Sequence, residues 1–392
     1  MKKGWQRKHI GDLCEVIAGQ SPEGKFYNAE CKGMPFYQGK KDFGEKFIET
    51  PTTWTTQTTK VAQEGDILMS VRAPVGPVNF ATEEVCIGRG LAAIRSGTDL
   101  NRDFLFYQLL HLQPDIAGKE GAVFASINKS EIEALPLAFA PLSEQQRIVG
   151  ILDEAFDGIA TAKANTGKNL QNTRSLFDSH LQAVFIQRGK EWVETTLGAE
   201  INLLAGFAFK STKYTDSDDS VRLLRGDNII QGSLRWDDVK KWPESDTSEY
   251  SRYQLRDGDV VLAMDRPWVK AGLKHAMISE GDLPCLLVQR TARLRGGPKI
   301  EKRFLMYLIG GAAFTHHILG VQTGIGVPHI SGQQIQDFSF FRPSLIQQRR
   351  IADNLESLRE ETQRLARLYE RKLASLDALK KSLLHRAFTG QL

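Results

Sequence analysis

The residues of this chain that could recognise another molecule are basic and amide side chains placed in predicted loops. An arginine fork matches the acceptor edge of guanine, and Gln or Asn matches adenine. Lysines and small-residue turns grip phosphates without reading sequence. In the first 141 residues the candidates are Gln38, Lys40, Lys41, Arg72 and Arg89, with Gly19 and Ser21 at a turn. In the second half they are Lys210, Arg225, Asn228, Arg266, Lys270, Lys274 and Arg290. Each of these alone also reads as a solvated charge or a structural ion pair, so the weight rests on the sets. Trp54, Trp236, Trp242 and Trp268 read as core or loop anchors rather than as platforms for stacked bases.

Bond-making chemistry is not legible. A methyltransferase needs a glycine-rich cofactor turn and an Asn/Asp-Pro-Pro-aromatic motif; the nearest stretch, Asp265-Arg-Pro-Trp268, lacks the second proline. No phosphate-binding G-x-x-x-x-G-K-[ST] loop and no H-E-x-x-H occurs. His316 and His317 are adjacent, so they point apart on any element, and no metal site is expected. Gly324-Ile-Gly326 reads as a turn. The net charge of +4 permits a nucleic-acid partner if the charge is local, but does not require one. Four scattered cysteines without a C-x-x-C pair predict reduced thiols and a cytoplasmic protein. Met1-Lys-Lys-Gly-Trp lacks the apolar core of a secretory signal. No apolar run approaches the ~20 residues of a membrane span.

The elements that must position these side chains repeat. Trp5…Ile10-Gly11 and Ala18-Gly19 match Trp192…Leu197-Gly198 and Ala205-Gly206 at an offset of 187. Phe36-Tyr-Gln-Gly39 faces Leu223-Leu-Arg-Gly226 at the same offset. Gly65-Asp-Ile-Leu68 matches Gly258-Asp-Val-Val261 at 193, Phe104-Leu-Phe-Tyr107 matches Phe304-Leu-Met-Tyr307 at 200, and Ile148 matches Ile351 at 203. An ordered series with a slowly growing offset marks a duplicated module. Each copy mixes short strands, turns and one short helix, and each ends in a long helical run. The fold class is α+β: two repeated α/β modules, residues 1–141 and 188–343, separated by two long helices, residues 142–187 and 344–392.

Spacings of three and four residues place a stripe on each long helix. On the first it runs through Leu152, Ile159 and Leu176, with threonines between; on the second, through Leu355, Leu358, Leu365, Leu376, Leu379 and Leu383. Ser143 with Gln146 fits a capping box. Bending or fraying is expected between Thr161 and Asn172, around Gly167. Two such stripes pack most economically as an antiparallel, coiled-coil-like pair with pseudo-twofold symmetry, the modules lying at opposite ends.

Pro141-Leu-Ser-Glu-Gln-Gln-Arg-Ile-Val149, its copy Gln347-Gln-Arg-Arg-Ile351, Gly65-Asp-Ile-Leu-Met-Ser70, and the helix ends Ala183-Val-Phe185 and Arg386-Ala-Phe-Thr-Gly390 resemble the specificity subunit of type I DNA restriction–modification enzymes. The resemblance covers the whole chain in the order domain, helix, domain, helix. It implies two target recognition domains, each reading half of a split, asymmetric double-stranded DNA site, with the helices setting the unread gap. It also implies that two methyltransferase subunits dock on the chain, joined by motor–nuclease subunits. S-adenosylmethionine, ATP and Mg belong to those partners, and this chain has no catalytic residue or cofactor of its own. Two other readings stand beside it: a self-sufficient nucleic-acid enzyme with unfamiliar motifs, and a duplicated protein-interaction scaffold.

Overall fold

The computed structural model describes residues 4–116, 126–187, 189, 191–324 and 326–392. The Met1-Lys-Lys start, Arg188, Lys190 and the Ile325 of the glycine pair lie outside the described residues. The chain divides into two compact units: Met1–Lys168 with Glu370–Leu392, and Asn169–Tyr369.

In unit 1 a four-stranded antiparallel sheet runs in the order Cys14–Ala18, Leu91–Ser96, Ile67–Ser70, Val78–Phe80. Beside it Met34–Tyr37 pairs in parallel with Val85–Ile87 within a five-stranded sheet. Ile67–Ser70 is buried along its whole length, as its apolar run predicts. The Arg72–Pro77 stretch leaves the ladder, because its prolines have no N–H to give it. The helix Arg102–Ile116 closes the core through Phe104, Leu105 and Leu109. Of the threonine-rich stretch 50–59, only Trp54–Thr55 is a strand.

Unit 2 repeats the plan. Its four-stranded sheet runs Ile201–Ala205, Thr291–Gly296, Val260–Ala263, His275–Met277, and Ser220–Leu224 pairs in parallel with Cys285–Leu287. One piece has no counterpart among the described residues of unit 1: the hairpin Trp268–Val269 with Gly272–Leu273. A second departure is the break at Gly310–Gly311, which splits one helix into Lys302–Gly310 and Ala312–Val321, where unit 1 keeps a continuous helix.

The matched motifs turn out to be structural bolts. Gly65 and Gly258 take φ of +85° and +81°, which only glycine adopts cheaply. The aspartate after each is buried. Asp66 accepts the Gln63 N–H at 2.8 Å and a two-pronged bond from Arg95 at 2.9 and 2.8 Å. Asp259 accepts from Arg256 N at 2.8 Å and from Arg295 at 2.6 and 2.7 Å. Gly19 and Gly206 are required by crowding: a Cβ there would lie 2.2 Å from the Gly88 carbonyl oxygen and 2.0 Å from that of Val288.

The long helices are Leu142–Ile186 and Leu345–Phe388. Within unit 1 they run antiparallel: Arg147 donates to the Leu392 carbonyl at 2.9 Å, the Lys380 ammonium lies 4.8 Å from the Phe156 ring centre, and Lys163 meets Asp377 at 2.7 Å. Within unit 2, Leu181 clusters with Ala352 and Leu355, Val184 packing alongside. The helix does not break between Thr161 and Asn172. Thr166 and Thr173 are buried, but each hydroxyl donates to the carbonyl four residues back, at 2.7 and 2.8 Å, so neither hydroxyl is left orphaned. Ser143 does not cap the first helix, which already begins at Leu142. Ser344 does cap the second, exchanging bonds with Gln347.

Of the stripe residues, Leu152, Ile159 and Leu355 are buried, and Leu358, Leu365, Leu376 and Leu383 are partly buried. Leu176 and Leu379 are corrections: they are 52% and 46% exposed. Phe177 and Leu181, and Lys380 and Leu384, take over the inward face. A straight helix with 3.6 residues per turn drifts about 20° per heptad from a seven-residue repeat, so the buried face moves on by one residue.

Candidate nucleic-acid interface

Four strand ends of unit 1 deliver side chains to one edge. Ser21 follows Cys14–Ala18, Gln38 and Lys40 follow Met34–Tyr37, Arg72 follows Ile67–Ser70, and Arg89 sits in the turn between Val85–Ile87 and Leu91–Ser96. All five line one open cleft of about 370 Å³, with Tyr27 and Ser70. Its loops are bonded to one another. Gly19 donates to the Leu91 carbonyl at 2.9 Å, Ser21 Oγ accepts the Arg89 N–H at 3.2 Å, and Ser70 Oγ donates to the Arg72 and Pro74 carbonyls at 3.1 and 3.0 Å. Among the described residues no carboxylate lines the cleft, and Lys40, Arg72 and Arg89 have no ion-pair partner. Three cations without a counter-charge in one concave place attract an anion. Lys41 stands apart, donating to Thr52 at 3.2 Å, and Gly19 shapes the turn behind the cleft.

The same backbone frame recurs in unit 2. Val71 N–H donates to the Gly90 carbonyl at 2.9 Å, and Met264 N–H to the Arg290 carbonyl at 2.8 Å. By this pairing Arg290 stands where unit 1 has Gly90, and Arg266 stands one residue beyond the counterpart of Arg72, which is Asp265. Both Arg266 and Arg290 adopt positive φ, 45° and 65°. Such a backbone costs a non-glycine residue about 1–3 kcal/mol, and such strain gathers at functional sites. Arg290 meets Asp265 at 3.1 Å. Lys274 is half-buried; burial holds its ammonium below the ordinary lysine range, Arg235 and Arg266 push the same way, and Asp227 opposes them. Arg235 therefore belongs with Arg266 and Lys274, although its sequence position in a polar loop gave no signal. Arg225 is tied to the Asp238 carbonyl at 3.2 Å.

Asn228 is committed to its own loop. It is buried, its Oδ1 accepts the Arg225 N–H at 3.1 Å and its Nδ2 donates to the Arg235 carbonyl at 3.1 Å, which leaves no free amide edge for a base. Lys210 and Lys270 are exposed on separate loops. Trp242 is buried and Trp236 donates to Asp282 at 2.8 Å, as anchors do, whereas Trp268 is 42% exposed. His317 faces the Gln334 carbonyl at 2.7 Å, and no group of three or more His, Cys, Asp or Glu side chains among the described residues is placed to hold a metal. All four cysteines are free thiols, and no single helix among the described residues is long and apolar enough to cross a membrane.

The fold has full-length counterparts. A chain solved in work on assembly and conformational transition of a type I restriction–modification system superposes with a TM-score of 0.81 at 17% identity, covering 100% of this chain and 99% of that one. The HsdS subunit of Thermoanaerobacter tengcongensis superposes at 0.65 with 18% identity, covering 100% and 98%. At such identities the likeness is one of fold: duplicated α/β modules with long helices. The sequence carries the rest. The model of the type I restriction modification DNA specificity domain matches residues 2–170. The putative MjaX specificity subunit of Methanocaldococcus jannaschii is 38% identical over 174 residues, 43% of this chain and 40% of that protein. The MjaVIII specificity subunit of the same organism is 23% identical over 407 aligned positions, covering 99% of this chain and 93% of that one. The Escherichia coli EcoAI specificity subunit is 36% identical over 174 residues, 44% of this chain and 29% of that protein. Residues 2–170 thus match a type I restriction modification DNA specificity domain, and the chain is similar over its length to a type I restriction enzyme specificity subunit.

Proposed function

We propose that the chain is the non-catalytic reader of a type I restriction–modification complex. Residues 1–141 and 188–343 act as two target recognition domains, each contacting one half of a bipartite, asymmetric double-stranded DNA site. The helix pair, residues 142–187 and 344–392, sets the gap and docks two methyltransferase subunits, with motor–nuclease subunits joining them. Methyl transfer and ATP-driven work, with their S-adenosylmethionine, ATP and Mg, belong to those partners.

The observation that carries this reading is a repeated frame with unlike residues at its matched loop positions: Gln38, Arg72 and Gly90 in one unit, Arg225, Asp265 and Arg290 in the other. Equal frames suit equal docking on a duplex, and unlike side chains suit unlike base sequences. The test is co-expression with a methyltransferase subunit and mapping of modified bases. Four residues inserted mid-helix add ~6 Å. The gap should then change while both half-sites stay the same. Altered half-sites with an unaltered gap would overturn the reading. The purified chain alone, given DNA and S-adenosylmethionine, should transfer no methyl group.

A further inference from the structure

Four departures of unit 2 from unit 1 fall around one place. Ten residues, 265–274, replace the six of 72–77 and form the Trp268 hairpin. His275 takes the strand position of Val78, as the ladders to Leu262 and Met69 show. Gly310 takes the helix position of Leu110, and a Cβ there would lie 2.7 Å from His275 Nε2. In unit 1 a loop bonds to the strand Val78–Phe80 through the Lys46 carbonyl, and the Lys46 ammonium bridges Asp103 at 3.1 Å and Asp153 on the long helix at 3.2 Å. In unit 2 the loop carbonyl that accepts from the same strand, at the His275 N–H, belongs to Ile230, which has no charge to offer. A large side chain, a shorter loop and a loop lysine are thus all missing from the same side of unit 2.

What remains is a cleft of about 790 Å³ within unit 2, between the module and the long helices. That size suits a small organic ligand. Its apolar wall includes Phe177, Leu181, Leu273 and Met306, with Trp268 at the rim. On the wall, His275 Nε2 and the Asp178 carboxylate are acceptors without a hydrogen-bond partner among the described residues. His275 is 9% exposed; its Nδ1 must donate to the Leu273 carbonyl, 3.0 Å away, because a carbonyl only accepts. Burial keeps the ring neutral, so Nε2 beside Gly310 carries a lone pair. Asp178, on the first long helix, has neither hydrogen bond nor ion pair among the described residues, and its carboxyl is raised by burial. The arginines of the wall are engaged, Arg359 with Glu356 and Arg174 with a partner of its own, although the buried Arg359 Nε has no acceptor.

We propose that this cleft binds an amphiphilic amine, with the apolar body against Phe177, Leu181, Met306 and Trp268 and the N–H groups toward Asp178 and His275. Aromatic faces favour a cation beside them, and a partly desolvated carboxylate adds to that preference. An anion placed beside Asp178 and His275 Nε2 would meet only acceptors.

The experiment is calorimetric titration of the full chain with benzylamine, benzyl alcohol and benzoate, which share the ring and differ in charge. Benzylamine should bind at least about tenfold more tightly than benzyl alcohol, and benzoate should not bind. Asp178→Asn, a change on a helix flank, should bring the amine within about threefold of the alcohol. Gly310→Leu, which restores the unit 1 residue, should abolish binding, with circular dichroism to check the fold. Equal binding of all three probes, no binding of benzylamine, or benzylamine binding unchanged in Asp178→Asn overturns the proposal. None of these readouts involves DNA, so this result and the DNA-reading result fail separately.

Discussion

Gln145 and Gln348, 203 residues apart, make the same three hydrogen bonds. Gln145 accepts the Asn101 N–H at 2.8 Å and donates to the Asp99 and Ala140 carbonyls at 3.0 and 2.7 Å. Gln348 accepts the Glu301 N–H at 2.8 Å and donates to the Lys299 and Pro343 carbonyls at 2.9 Å each. Both are fully buried. This is the physical content of the Gln-Gln-Arg motif: one amide at the start of each long helix satisfies the loop before the module's helix and the strand end before its own. Truncation leaves one donor and two acceptors unpaired, one of them, the Ala140 or Pro343 carbonyl, in a buried bond. Gln145→Ala should cost about 3 kcal/mol, read as a lower urea midpoint, and Gln348→Ala a similar amount. A loss under about 0.5 kcal/mol in both would remove the motif's structural role.

Gly206 tests the crowding of the turn without touching any charge. Its N–H donates to the Thr291 carbonyl at 2.9 Å, and a methyl group would enter the Val288 backbone. Gly206→Ala should destabilise unit 2 by about 2 kcal/mol or more. Gly232→Ala, at a glycine with open space but φ of +77°, should cost about 1 kcal/mol through strain alone. Denaturant unfolding that ranks the two the other way would contradict the steric account.

Arg72 and Arg89 should act on DNA together and on one half-site only. Replacing either with alanine should weaken binding by about 1–3 kcal/mol if it contacts a base, and relax the sequence at that position. Replacing Lys40, if it grips a phosphate, should instead weaken all sequences alike and lower the salt slope by about one. Arg266→Ala should act on the other half-site. Methylation mapping in which Arg72→Ala altered both halves would exclude the division of labour.

The acid side of the stability profile should depend on His111. Its ring packs against Phe388 and His385, each 5.7 Å away. Burial, and then the neighbouring His385, hold its pKa below the ordinary 6.5, with Asp115 opposing. The folded chain therefore protonates this ring later than the unfolded chain does. Its contribution is complete above pH 6.5 and shrinks as pH falls through that value toward the folded one. Melting midpoints from pH 8 to 5.5 should fall, and fall less in His111→Leu; parallel curves would exclude His111 as a cause. His275, buried in unit 2, adds a change of the same sign.

The duplication and the place of each loop were legible because both rest on backbone needs: Gly65 and Gly258 at positive φ, buried Ile67 and Val260, the drifting offset itself. Gathering Ser21, Gln38, Lys40, Arg72 and Arg89 needed only the knowledge that strand ends on one edge of a sheet are neighbours. What side chains do with their hydrogen bonds was not legible. Asn228 has the right type for adenine and is consumed by its loop; Arg235 gave no signal in the sequence and lies near Lys274. Leu176 and Leu379 were misplaced for a geometric reason, since a seven-residue count cannot follow a 3.6-residue turn through six turns.

Thr166, Thr173 and Thr362 each return their hydroxyl to their own helix. A seam residue that asks nothing of the opposite helix cannot hold it in one alignment. The central turns should therefore tolerate added or removed length better than the ends, bolted by Gln145 and Gln348. Natural variation in helix length should accumulate among those threonines, and with it new spacings that require no change in any recognition loop.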